Sequence, residues 1–168
     1  MSDSTANAII RPMTAADLDR VVAIAASVPQ APHWPRLAYL DALNPESAPR
    51  RIALVVYEAD AIIGFAIASI VAPEAELETI AIAPGIQRRG LGRRLFDELV
   101  AQLGQSGVQE LLLEVRASNL RAVAFYRCLG MAQSGLRRAY YADPVEDAVL
   151  MWLGLPQESR SILPAPKP

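Results

Sequence analysis

The chain predicts a mixed α/β fold, a β-sheet with helices on both of its faces. Runs rich in β-branched and apolar residues recur at 51–57, 62–71, 76–83 and 110–116. Between them lie stretches whose apolar residues repeat at helical spacing. The two kinds of stretch alternate along the chain instead of segregating, which is the pattern of an α/β layer structure. At 168 residues, 52% of them hydrophobic, the chain is long enough for one domain with a sizeable core.

Each element has a local reason. Ile9-Ile10-Arg11 reads as a short first strand. Thr14 caps a helix, with Asp17 as its capping-box partner. Leu18, Val21, Val22 and Ala25 form that helix's buried stripe, and Pro29 and Pro32 stop it. A second short helix covers Arg36 to Leu43, and Pro45 to Arg50 is a loop. Arg51 to Tyr57 and Ile62 to Val71 flank Glu58-Ala59-Asp60-Ala61 as a hairpin, and Glu76 to Ala83 is a third strand of this group. Leu91, Leu95, Leu99, Val100 and Leu103 mark a long helix ending near Gly104 or Gly107. Glu110 to Arg116 is a strand. Asn119 caps a helix that runs to Leu129 and stops at Gly130. Leu136 to Tyr141 and Ala148 to Leu153 are the last strands. The domain spans 9–155, between a flexible segment 1–8 and a flexible tail 156–168 that carries four of the 13 prolines.

Composition excludes several classes of function. A net charge of −2, with the clusters of basic residues local to 88–94 and 137–138, argues against a direct nucleic-acid role. The single cysteine, Cys128, cannot form an internal disulfide, fits a reducing compartment, and reads as a buried structural thiol in an apolar helical run. His33 has no second His or Cys set around it, so no metal is expected. The longest apolar run, Ala61 to Ala72, is about half of a bilayer span and reads as a strand, so no membrane role is expected. Met1 to Ala8 lacks the basic and apolar regions of a signal peptide, and the expected location is cytoplasmic.

Chemistry concentrates in Gln87-Arg88-Arg89-Gly90-Leu91-Gly92-Arg93, between a strand and a helix. Gly90 and Gly92 let backbone N–H groups approach an anion. The helix start adds partial positive charge, and Arg88, Arg89 and Arg93 supply full charges. No Gly-Lys-Ser/Thr follows, so this is not a Walker loop. The spacing is not that of a dinucleotide fingerprint either. The plain alternative is a solvated basic helix start.

Ile80-Ala81-Ile82, the loop from Gln87 to Gly92, Glu114-Val115-Arg116-Ala117-Ser118-Asn119, and Ala124-Phe125-Tyr126-Arg127-Cys128-Leu129-Gly130-Met131 together resemble the GNAT superfamily of N-acetyltransferases. The loop matches its Gln/Arg-x-x-Gly-x-Gly/Ala signature. Arg137-Arg138-Ala139-Tyr140-Tyr141 and Glu146-Asp147-Ala148 add a likeness to its RimI-type branch, which acetylates the N-terminal alanine of a small-subunit ribosomal protein. His33-Trp34-Pro35 departs from the Pro-Trp pair common in that branch, in a region that helps form the acceptor site.

The resemblance implies the GNAT fold, a mostly antiparallel central sheet with a splay between the strand carrying Ile80–Ile82 and the strand 111–116. It implies acetyl-coenzyme A as co-substrate. The pyrophosphate would lie on the backbone of Arg88, Arg89, Gly90, Leu91, Gly92 and Arg93, and the pantetheine arm beside Ile80, Ala81 and Ile82. Asn119 would bond that arm; a simple helix cap is the other reading. The resemblance further implies Glu114 as proton acceptor and Tyr126 as general acid, in direct attack by the amine. An α-amino group has a pKa of about 7.7–8.0, so a modest base suffices. Glu114, in an apolar strand, should have a raised pKa unless it is paired; a salt bridge to Arg116 or Arg138 is the alternative. Tyr126 reads otherwise as a core tyrosine. Glu78 competes as the base or as a group binding the acceptor's charge. Trp34, Tyr140 and Tyr141 are candidate acceptor contacts, and Glu76, with other acids, can attract a basic peptide.

The expected partner is a protein N-terminus, most readily that of a ribosomal protein, with the enzyme a monomer or weak dimer. A small-molecule amine acetyltransferase and a non-catalytic acyl-coenzyme A binding module are the rival functions.

Overall fold

A computed structural model describes residues 7–156. The expectations for segments 1–8 and 156–168 therefore fall almost wholly outside the described residues. Seven strands form one sheet: β1 (Ile9–Pro12), β2 (Arg50–Glu58), β3 (Ala61–Val71), β4 (Glu74–Ile82), β5 (Glu110–Arg116), β6 (Ala132–Ala142) and β7 (Val145–Gly154). Their order across the sheet is β1-β2-β3-β4-β5-β7-β6. Every neighbouring pair is antiparallel except β4–β5. The helices are α1 (Leu18–Ser27), α2 (Arg36–Asp41), α3 (Leu91–Gln105) and α4 (Leu120–Cys128).

Strand alternation divides the apolar residues between two cores. Leu54 and Val56 of β2 face α3, where they join Leu95, Phe96, Leu99, Leu103, Leu111, Leu113, Val149 and Met151. Val55 points the other way, toward Leu18, Val21, Ile24 and Ala25 of α1 and Tyr39 of α2, with Phe65, Ile67 and Ala81. On α1 the buried stripe takes Ile24, 1% exposed, where the sequence pattern pointed to Val22, which is half-buried. Ile24 lies three residues past Val21 and so shares its face.

The predicted β2–β3 hairpin turns on Ala59 and Asp60, at φ 48° and 61°. These are the left-handed values that a two-residue turn between twisted strands requires. The Tyr57 hydroxyl donates to Asp60 Oδ1 at 2.9 Å and steadies it. β6 begins earlier than its alternation indicated, because register shifts at Gln133/Gly135 and Arg137/Tyr141 break the period-two pattern. Cys128 is exposed, which corrects the expectation of a buried thiol. α4 is only nine residues long and turns Val123 and Tyr126 toward the sheet. Cys128 follows Tyr126 by two residues, about 200° further round the helix.

The predicted cap at Thr14 opens a short 3-10 turn, Ala15–Asp17, ahead of α1. Asp17 is buried and accepts from the Thr14 N–H at 2.8 Å and from both arms of Arg11 at 2.7 and 2.8 Å. The Arg11 hydrogen bonds, outweighing the cost of burial, hold its carboxyl down at about 2. β1 is thereby clamped to the start of α1.

A carboxylate depressed in the folded state stabilises the fold above its unfolded pKa of about 3.9. The contribution is lost as pH falls from there through the folded value. We expect Asp17→Asn to cost about 2 kcal/mol in urea unfolding at pH 7. The difference from wild type should vanish near pH 2.

Candidate active site

β4 and β5 pair at only three positions, Glu74 with Glu110, Ala75 with Leu111 and Glu76 with Leu112. Beyond Glu76, β4 stays paired with β3, while β5 beyond Leu112 pairs only with β7. The sheet therefore opens into a slot between two strand edges. Ala83 N–H donates to Ile63 on β3 at 2.9 Å. Counting back with period two, Ala81 also turns its backbone groups to β3, and Ile80 and Ile82 turn theirs to the slot. Of the three residues the resemblance put beside the pantetheine, Ile80 thus turns its N–H and C=O to the slot and Ile82 its N–H, the Ile82 carbonyl being taken by Gln87, while Ala81 offers neither.

The loop at the end of β4 closes one end of this slot. Gly85, Arg88 and Gly90 are left-handed, at φ 86°, 65° and 75°, and α3 starts directly after Gly90. A Cβ at Gly90 would meet nothing within 4 Å, so that side of the loop is open. Gly92 differs: a Cβ there would lie 3.2 Å from Phe125 Cζ. Its missing side chain lets α3 approach α4.

The arginines do not all face this opening, as the sequence reading had them do. Arg89 donates to both oxygens of Glu58, at 2.8 and 2.7 Å, tying the loop to the β2–β3 turn and lowering the Glu58 pKa. Arg93 donates to the Cys128 carbonyl at the end of α4. Arg94 reaches the Ala8 carbonyl at 2.8 Å. Arg88 is exposed, and its side chain makes no hydrogen bond or ion pair among the described residues. Gln87 donates to the Ile82 carbonyl at 2.9 Å and accepts from Arg121 at 3.0 Å, bracing the loop against β4 and α4.

Side chains converge on the slot from both sheet faces. Glu114 is on β5, opposite in direction to Leu113 and Val115, which enter the α3-side core. Its side chain is 17% exposed and pairs with Arg137 Nη1 at 2.6 Å. The expected alternatives, Arg116 and Arg138, are not its partners. Arg116 is held by Glu146 at 3.1 Å and stacks on Tyr141 at 4.1 Å. Arg138 lies in the bulge where the β6 register is interrupted. Since Glu114 is paired, the expectation built on an unpaired carboxylate does not apply.

Tyr126 packs on the α3-side core from α4, and burial, with a smaller contribution from Tyr141, pushes its phenol well above the ordinary tyrosine value. Burial, with a smaller contribution from the charge of Glu114, raises the Tyr141 phenol as well. Asn119 caps α4 by accepting from the Ala122 N–H at 3.1 Å, which leaves its amide NH₂ to donate.

Glu78 occupies a bulge, the extra residue between Leu77 and Thr79 opposite Ala68 and Ile67. Both of its oxygens are taken by Arg51, at 2.8 and 3.1 Å, and Arg51 also reaches Asp41 at 3.6 Å. Next to it, the buried Thr79 hydroxyl has no hydrogen-bond partner among the described residues. Glu76, the last paired residue of β4, has its carboxyl pushed up by burial and by the charges of Glu114 and Glu78. Trp34, half-buried, stacks 5.2 Å from Tyr39 on the α1–α2 side. Tyr140 and Tyr141 meet edge to face at 5.2 Å beside Glu114. Arg51 and Glu58 were not singled out in sequence, and Arg137 only as part of a basic-aromatic motif and not as the partner of Glu114; each acts through a contact 23 or more positions away, for which local pattern holds no signal.

A sheet parted between β4 and β5, with a glycine-rich helix start following β4, is the architecture of an acyl-transfer fold. The family model of the Acetyltransferase (GNAT) family matches residues 18–131, and the chain belongs to this family. The [ribosomal protein bS18]-alanine N-acetyltransferase of Salmonella typhimurium is 48% identical over 96 residues, 56% of this chain and 65% of that protein. The match thus spans just under two thirds of that relative's length. The protein of the same name from Haemophilus influenzae is 43% identical over 105 residues, 61% of this chain and 71% of its own. The crystal structure of the ribosomal-protein-S18-alanine N-acetyltransferase from Escherichia coli superimposes with a TM-score of 0.79 at 32% identity, over 93% of this chain and 99% of that one.

The two glycines of the loop should respond differently to valine. Gly92→Val forces Phe125 to move and is expected to lower stability by about 1–3 kcal/mol. Gly90→Val costs about 1–2 kcal/mol through its left-handed backbone and, in addition, fills the open side of the loop. Calorimetric titration with coenzyme A should show the larger loss of affinity for the Gly90 variant, and urea unfolding the larger loss of stability for Gly92.

Proposed function

We propose that this protein transfers an acetyl group from acetyl-coenzyme A to the N-terminal α-amino group of a protein, and that the acceptor is the N-terminal alanine of a ribosomal small-subunit protein of the bS18 type. The observation that carries this reading is the parting of β4 from β5 beside Gly90; Glu114 on β5 and the buried Tyr126 on α4 are the base and acid it would use. The names of the bacterial relatives support the acceptor class.

The fit to acetyl-coenzyme A rests on the open side of Gly90, the N–H groups at the start of α3, and the slot-facing backbone of Ile80 and N–H of Ile82. Arg88, Gly90 and the first turn of α3 would hold the pyrophosphate. Ile80, Ile82 and the Asn119 amide would hold the pantetheine arm as an added strand. Arg89 and Arg93 shape the loop, and the backbones of Arg89, Leu91, Gly92 and Arg93 supply donors. The bound group supplies an activated acetyl thioester.

Glu114 then takes the proton that the acceptor's ammonium must lose to become a nucleophile. Tyr126, kept protonated by burial, would give its hydroxyl proton to the departing sulfur and be restored by the second proton, which the nitrogen loses as the amide forms. Glu78 is committed to Arg51, so it acts as the brace of the bulge and not as the base. Trp34, Tyr140 and Tyr141 line the approach for the acceptor chain. Such a substrate is met in the cytoplasm.

The test is acetyl transfer to a synthetic peptide with a free N-terminal alanine, beside an N-blocked copy and a panel of small amines, with mass spectrometry locating the product. Acetylation of the free α-amine alone is the expected result. Reaction of small amines in preference to the peptide would overturn the acceptor class. Glu114→Gln should lower kcat about 10²-fold or more with coenzyme A affinity intact, and Tyr126→Phe should also slow turnover. A wild-type rate in either variant removes that residue from the mechanism.

A further inference from the structure

Glu114 has two neighbours that this mechanism does not use. Arg137 Nη1 lies 2.6 Å from Oε1, and the Tyr140 hydroxyl hydrogen-bonds the same carboxylate. Both residues come from the stretch of β6 where the register with β7 shifts, between Arg137 and Tyr141. Within it Ala139 is left-handed, at φ 50°, and its N–H donates to Asp147 Oδ1 at 2.8 Å. The bulge is thus pinned from β7, with Arg137 and Tyr140 brought to bear on β5. Arg137 stands opposite Ala148, and Ala148 opposite Arg116. A methyl group on the intervening strand leaves the guanidinium room to cross it.

The same guanidinium is the positive charge that Glu76 feels. Glu76 has no ion pair of its own among the described residues, and Glu78 is neutralised by Arg51. Arg137 therefore lies among the carboxylates at the mouth of the slot, touching the proposed base, with 56% of its side chain still exposed. This is the electrostatic position that an acceptor's ammonium has to occupy.

We propose that Arg137 is an internal stand-in for the acceptor's ammonium: it occupies Glu114 while the acceptor site is empty, and an incoming N-terminal ammonium displaces it. The proposal rests on the reading of Glu114 as the proton acceptor. Arg137 is then a positioning residue, not a catalytic one. It keeps the carboxylate oriented, and it yields only to a ligand that brings a positive charge of its own. A neutral group cannot compensate Glu114 and leaves the pair intact. The displaced guanidinium has solvent to move into, so the exchange costs little more than one half-exposed ion pair.

The test is calorimetric titration, with coenzyme A present, of a peptide beginning with a free alanine and of its N-acetylated copy. Arg137→Gln should bind the free-amine peptide more tightly than wild type, by up to about fivefold, the worth of such a pair. The N-acetylated copy should show no gain. Arg137→Lys, which restores the charge, should return the affinity toward wild type, and the acceptor KM should move in the same sense as the affinity. Unchanged coenzyme A affinity reports an intact fold, and Arg137→Met repeats the test with a second neutral side chain. Equal or weaker binding of the free-amine peptide by both neutral variants overturns the proposal. Failure of wild type to bind either peptide overturns the acceptor reading itself. Binding by wild type with no gain in the variants overturns only the role of the ion pair.

Discussion

The short pairing of β4 with β5 is the constraint on which the rest of the molecule depends. A sheet interior is a place where every backbone N–H and C=O is expected to find a partner. Here two neighbouring strands pair through three residues and then part, each remaining bonded on its far side. The sheet survives because β3 and β7 complete antiparallel ladders along nearly the whole length of β4 and β5. What remains is a pair of facing strand edges inside one domain. Such an edge is a template for an extended ligand, and a flexible arm carrying amides is well suited to it.

Around this opening the charged residues divide between bracing and exposure. Arg89 with Glu58, Arg51 with Glu78, and Arg116 with Glu146 each join segments that are distant in sequence. Each fixes a turn or bulge that borders the slot. A phosphate loop that relied on four flexible arginines would lose much side-chain entropy on binding. This loop uses two of them, Arg89 and Arg93, to hold its own shape and leaves backbone N–H groups to meet the anion. The opposite choice appears at the acceptor side. There the carboxylates of Glu76 and Glu114 are retained at the surface of a cleft, where a cation can reach them.

What the sequence made legible follows from the range of the interactions. The order of strands and helices, the Thr14 and Asn119 caps, the hairpin at Ala59-Asp60 and the glycine-rich start of α3 are set by neighbours a few residues apart, and they are readable as such. Glu114 and Tyr126 came from motif resemblance; the structure puts Glu114 on β5, where it leaves β4, and buries Tyr126 against the α3-side core. The partner of Glu114 was not legible. It depends on the bulge in β6, which shifts register by an amount no period-two pattern encodes, and it is Arg137 where chain proximity pointed to Arg116. The same limit explains Gly92, whose role is set by Phe125 on another helix, and Cys128, whose apolar neighbours in sequence lie on the other side of α4.

The slot also explains why the proposed acid and base sit where they do. Glu114 leaves β5 on the side opposite Leu113 and Val115, whereas Tyr126 packs against the core that Leu113 and Val115 enter. In an unbroken sheet, groups on opposite faces are separated by the backbone layer and cannot serve one reacting atom. Only where β4 and β5 part could a carboxylate from one face and a phenol from the other approach the same point. The environments then follow from the faces. The phenol, set against the packed core, is held protonated by desolvation. The carboxylate, on the other face, meets the Arg137 guanidinium. One geometric break in the sheet thus creates the free strand edges and is the place where the two proposed proton-transfer groups, set apart by environment, could serve one reacting atom.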